Sequence, residues 1–177
     1  MKYLMLFLCL ILISCDEGST YKTNENYVPI IDKIQKEYIN SMEKEGFSLA
    51  ASDGRMVGDI QRLTVGFCAP LTLDIEQARV LFVVKVEEFL TMLNGTRELR
   101  PYLHEYPFPT ERLTFELAFH NPNGIIVAEP NIAHISTAGD QIHYCVSKDG
   151  KNVDYHPIHI ETYNEAYKIV YGKSPAY

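Results

Sequence analysis

The sequence predicts an α+β domain, an antiparallel sheet of about five strands with helices packed on one face. Three observations carry that prediction. Stretches 29–46 and 74–94 repeat apolar residues at helical spacing, whereas 112–120 alternates apolar and polar residues as a half-buried strand does. The strands after 112 are separated by turns bearing Gly and Asp, which suit hairpins. Helices and late strands are also segregated along the chain, as in α+β architectures.

Pro29 stands where a first helical turn tolerates it, and Ile31, Ile34, Tyr38 and Met42 follow on one face up to Gly46. Residues 47–52 and 59–69 read as two strands about an Asp53-Gly54 turn, with Leu63, Val65 and Phe67 on one side. A long helix starts at Thr72 or Asp74 and stops at Asn94-Gly95, a pair suited to a left-handed cap. Ile75, Ala78, Phe82, Val86, Phe89 and Leu93 form its main stripe. Its centre, Val80 to Val84, is apolar all round, which predicts that it lies deep in the domain. Leu113, Phe115, Leu117 and Phe119 share one face of the next strand, and Asn121-Pro122-Asn123-Gly124 turns the chain back. Two hairpin turns follow, at Gly139-Asp140 and Asp149-Gly150. A capping box, Thr162 to Glu165, opens the last helix, which ends at Gly172.

The 177 residues are 46% hydrophobic, with a mean hydropathy of −0.11. That is too apolar for a disordered chain and too polar for a polytopic membrane protein. Sixteen basic residues against 23 acidic ones, a formal charge of −7, argue against a nucleic-acid partner. Four cysteines are too few for a disulfide-built scaffold.

Lys2 precedes an unbroken apolar run, Leu4 to Ile13, too short to span a bilayer but fit for the apolar core of a signal peptide. The run closes on Leu12-Ile13-Ser14-Cys15, which resembles the lipobox of bacterial lipoproteins. The resemblance covers residues 1–15. It implies a signal peptide over 1–14, lipidation of Cys15 by acyl chains such as palmitate, and a protein held at the cell membrane or outer membrane, facing the periplasm or exterior. Two or three acyl chains hold a protein at a membrane almost permanently. Cleavage after Ser14 would leave 163 residues and, with Lys2 gone, change the formal charge from −7 to −8. Residues 15–26 then read as the lipidated cysteine and a polar tether, and 27–177 as a single α+β domain.

The late hairpins set a register. With Gly139-Asp140 central, Ile135 faces Tyr144 and Thr137 faces Ile142. With Asp149-Gly150 central, Tyr144 faces Tyr155 and Val146 faces Val153. Both place apolar residues together on one face. The other face then holds His134, His143, Cys145, Asp154 and His156, with His143 opposite His156, a donor set suited to zinc or copper. Nothing else in the sequence calls for a cofactor. A thiol nucleophile would need a histidine between cysteine and carboxylate, and here Cys145 occupies the middle. With Cys9 in the signal peptide and Cys15 lipidated, Cys68 and Cys145 remain, and a disulfide between them is the competing reading in an oxidising compartment.

Residues 96–111 pack prolines, aromatics and arginines into a long connection. Arg97, Arg100, Tyr102, His104, Tyr106 and Phe108 read as an interaction loop, or as a plug in which Tyr102, Tyr106 and Phe108 cover the core. The run Leu99 to Phe108 resembles small bacterial lipoproteins and implies no activity. No phosphate loop, nucleophile elbow or close carboxylate pair is present. The sequence therefore points to a non-enzymatic interaction or structural module with an envelope protein partner, exposing an apolar patch at Tyr102–Phe108 or on the long helix. A metal or small-ligand binder using the His/Cys face is the alternative.

Overall fold

The structure, a computed structural model, describes residues 25–151 and 153–175. The stretch expected to be a signal peptide, Cys15 and most of the expected tether lie outside the described residues. A 3-10 turn, Glu25–Tyr27, leads into α1 (Val28–Lys44), and Tyr27 is already buried against Tyr102. Then follow β1 (Ser48–Met56), β2 (Ile60–Ala69), α2 (Ile75–Gly95), β3 (Leu113–Phe119), β4 (His134–Ala138), β5 (Gln141–Ser147), β6 (Tyr155–Thr162) and α3 (Tyr163–Tyr171).

The six strands form one sheet in chain order, β1 to β6. It is antiparallel except that β3 runs parallel to β2, because α2 crosses between them over the sheet. The α+β class holds, with one parallel pair inside the sheet. Leu63, Val65, Phe67, Leu113, Phe115, Leu117 and Ile135 turn toward the helices. Tyr38 of α1 meets Phe67, Phe89 and Phe115, and Phe82 of α2 meets Phe115 edge-on.

Two turns differ from expectation. Asp53 and Gly54 lie inside β1, opposite Thr64 and Leu63, and the chain reverses at Gly58, whose φ is 81°. Gly54 answers a close approach instead: a Cβ there would come within 3.2 Å of Leu63 Cδ2 and Arg62 O. Asp149 and Gly150 do turn the chain, but within the longer connection 148–154. Ser147 O accepts from the Glu129 amide, and Ser147 Oγ accepts from the Gly150 amide. A tight hairpin cannot close there.

Gly95 is no left-handed cap, since α2 ends on extended Thr96. Asn94 serves as a latch: its Oδ1 accepts the Phe108 amide at 2.6 Å and its Nδ2 donates to Phe108 O at 3.2 Å. Among the described residues no helix is long and apolar enough to cross a membrane.

Candidate functional site

The β4–β5 register is as expected, with Ile135 opposite Tyr144 and His134 opposite Cys145. The β5–β6 register is not. The longer connection slides β6 by four residues, so Tyr144 faces His159 and His143 faces Ile160. A bulge between Tyr144 and Cys145 then places His156 opposite buried Val146, away from the face that carries His143. The expected set is thereby divided. His156 pairs with Asp154 at 3.1 Å, while His134 stacks flat against Tyr155 at 4.8 Å. Among the described residues no three His, Cys, Asp or Glu side chains converge as metal ligands.

The disulfide is corrected as well. Cys68 and Cys145 occupy one row across the sheet, but Ala118 and His134 stand between them, and both thiols are free. Three strand spacings amount to about 14 Å, against the roughly 5.5 Å a disulfide needs between Cα atoms. His134 stands beside Cys145 in that row, and Glu116, which pairs with Ser136 one step along β3, reaches it diagonally, its Oε2 3.9 Å from His134 Nε2. This is the order a thiol nucleophile requires, with a carboxylate the sequence reading did not include. The electrostatics oppose that use. Burial pushes the Cys145 thiol up and the His134 imidazole down, which favours the uncharged pair.

The loop at 96–111 is plug only in part, because Tyr106, expected to cover the core with Tyr102 and Phe108, is 47% exposed. Phe108, Leu99 and Leu103 are buried, and Tyr102 is half-buried on Tyr27. His104 is tied to Asp59, with Nδ1 to Oδ2 at 2.7 Å, and that hydrogen bond holds the Asp59 carboxyl below its usual range. Arg97 is exposed, and Arg100 lies over the ring of exposed Tyr106 at 4.9 Å. Tyr106 borders a cleft of about 560 Å³ with Arg62, Glu105 and Arg112. Its charges are in part answered within it, Arg112 Nε meeting Glu105 Oε2 at 3.2 Å.

A different surface emerges on α2. The main stripe is buried, yet Val80 is 49% exposed and Val84 half-exposed, on the side turned from the sheet. The expectation that Val80–Val84 lies deep is thus half wrong: Phe82 and Val83 do, Val80 does not. Two contiguous hollows meet at Val84. One, of about 660 Å³, runs over Val80 and Leu81 beside Glu45 and Glu76. The other, of about 470 Å³, lies between α1 and α3 and is walled by Ser41, Glu88 and Tyr171. Together they form a trough along α2 with an apolar floor and an acidic rim.

Lys85 secures one wall. Its side chain is only 6% exposed, and its Nζ donates to Glu45 Oε2 at 2.6 Å and Glu88 Oε2 at 2.9 Å. Tyr38 donates to the Lys85 carbonyl at 2.7 Å. The opposite wall is held by Tyr163, which donates to Glu87 at 2.7 Å.

No protein-family model matches the chain, and no curated protein or solved structure matches it either. The trough must therefore be read from its own chemistry. Its signal was present in the sequence: Val80 and Val84 lie four residues apart and off the stripe of Ala78, Phe82, Phe89 and Leu93.

Proposed function

We propose that the chain is a membrane-anchored envelope lipoprotein whose folded domain is a non-enzymatic interaction module, engaging a protein partner through the α2 trough. The anchor rests on Leu12-Ile13-Ser14-Cys15. The interaction role rests on one observation: an apolar floor is left open along α2 where α1 and α3 do not close over it. Apolar ground rimmed by polar residues is what protein contact surfaces look like. The sheet face that no helix covers is more polar, with half-buried Thr64, Thr114, Glu116, Ser136 and His143 across it and exposed Ile160 beside His143 on the edge strand.

The test has two arms on the full chain expressed in bacteria. Metabolic labelling with palmitate is expected to mark the protein and to be lost in Cys15→Ser; labelling that persists in that variant ends the anchor reading. A photo-reactive residue at Val80 is expected to give a discrete cross-linked adduct in intact cells. A chain that yields no adduct from Val80 while remaining folded ends the interaction reading.

A further inference from the structure

We infer that the trough's occupant is a basic amphipathic helix of about three turns. This rests on the proposed role of the trough and specifies what fills it. The residues lining the two hollows include four carboxylates, Glu45, Glu76, Glu87 and Glu88, against the single ammonium of Lys85. Lys85 lies beneath two of them and is buried, so the charge presented outward is negative. An acidic rim around an apolar floor selects a ligand with the converse pattern, an apolar stripe flanked by Lys or Arg.

The shape selects a helix. The trough follows the α2 axis from Val80 past Val84 to Thr91, about 16 Å at 1.5 Å per residue, with Val80, Leu81 and Val84 as apolar ground in one half and Met92 and Tyr171 in the other. A helix of about eleven residues covers that length, presenting apolar side chains at i, i+4 and i+7 to the floor. Other occupants fit less well. A second copy docked through the same patch would bring two identical acidic rims face to face, and a membrane surface bearing anionic lipid would be repelled.

The probe is a fluorescein-labelled amphipathic peptide of Leu and Lys, with a Leu/Glu peptide of the same apolar stripe as comparator. Binding to the full chain in detergent is read by fluorescence anisotropy. The Leu/Lys peptide is expected to bind saturably at one per chain, and the Leu/Glu peptide at least tenfold more weakly. Val80→Gln/Val84→Gln is expected to weaken Leu/Lys binding at least tenfold, and Glu76→Lys about threefold. Glu76 and Val80 are exposed and Val84 is half-buried, and an unchanged urea midpoint shows that the fold is intact. Equal binding of the two peptides overturns the charge argument but leaves the trough as a contact surface. A trough-dependent dimer, seen by sedimentation, overturns it in favour of self-association. Failure of the peptide together with an adduct from Val80 sinks this inference alone. Failure of both sinks the interaction reading with it.

Discussion

Arg79 and Lys85 lie on the same helix and both give up most of their water, yet they are answered in opposite ways. Arg79 Nε meets Glu161 Oε1 at 2.7 Å, and both side chains are nearly sealed, 11% and 7% exposed. Tyr144 donates to the same carboxylate oxygen, and the Arg79 guanidinium lies 5.7 Å over its ring. Lys85 is as deeply buried, but its two carboxylate partners are each 45% exposed. Burial works against both cations, and in both the neighbouring carboxylates outweigh it and leave the pKa raised. The difference lies in what happens when the pairing is broken. At Arg79 the answering carboxylate is itself almost out of water. At Lys85 the carboxylates already touch water. The first cluster fastens α2 to β6, and the second forms the rim of an open trough.

The largest expected effect comes from breaking the sealed cluster. Glu161→Ala leaves a buried guanidinium and a buried tyrosine hydroxyl without their acceptor, and the expected loss is about 3–5 kcal/mol in urea denaturation. A loss under about 1 kcal/mol would mean that water reaches Arg79. Lys85→Met is expected to cost about 1 kcal/mol or less by the same measurement, because Glu45 and Glu88 can rehydrate. A loss as large as that of Glu161→Ala would erase the distinction between the two clusters.

Between these lies a pH effect. Burial, first of all, pushes the Tyr144 hydroxyl well above its ordinary value, with Glu161 adding to it. Burial does the same for Tyr38, helped by Glu88 and Glu45. A folded-state pKa above the unfolded one stabilises the native state below about pH 10 and is lost as pH rises past that value. Stability is therefore expected to fall above about pH 10, by up to about 1.4 kcal/mol per pH unit for each hydroxyl. Tyr144→Phe should flatten that fall, and an unchanged slope would contradict the burial of the hydroxyl. The smallest effect is at the floor of the trough. Val80→Gln is expected to shift stability by no more than about 0.5 kcal/mol, as substitutions at exposed positions do.

The same contrast marks what the sequence made legible. The β4–β5 register followed from Gly139-Asp140, because a two-residue turn leaves one pairing that puts Ile135, Thr137, Ile142 and Tyr144 together on the buried face. The β5–β6 register did not follow, because Asp149-Gly150 answers to a remote segment. A Cβ on Gly150 would meet Ile126 O at 2.6 Å, and no local pattern records that neighbour. The division of His143 from His156 is a consequence. The parallel β2–β3 pair was equally hidden, since Leu63, Val65 and Phe67 alternate in the same way beside a parallel or an antiparallel neighbour. The buried stripe of α2 was readable, but reading its centre as apolar all round obscured two valines that face outward.

The central claim is that the trough, and not the open face of the sheet, meets a partner. A photo-reactive residue placed in turn at Val80, Val84 and Tyr171, and at Thr114, Ser136 and His143, tests it in intact cells. One adduct of common size is expected from the first three positions and none from the second three. The same adduct from the sheet positions, with silence along α2, would contradict it.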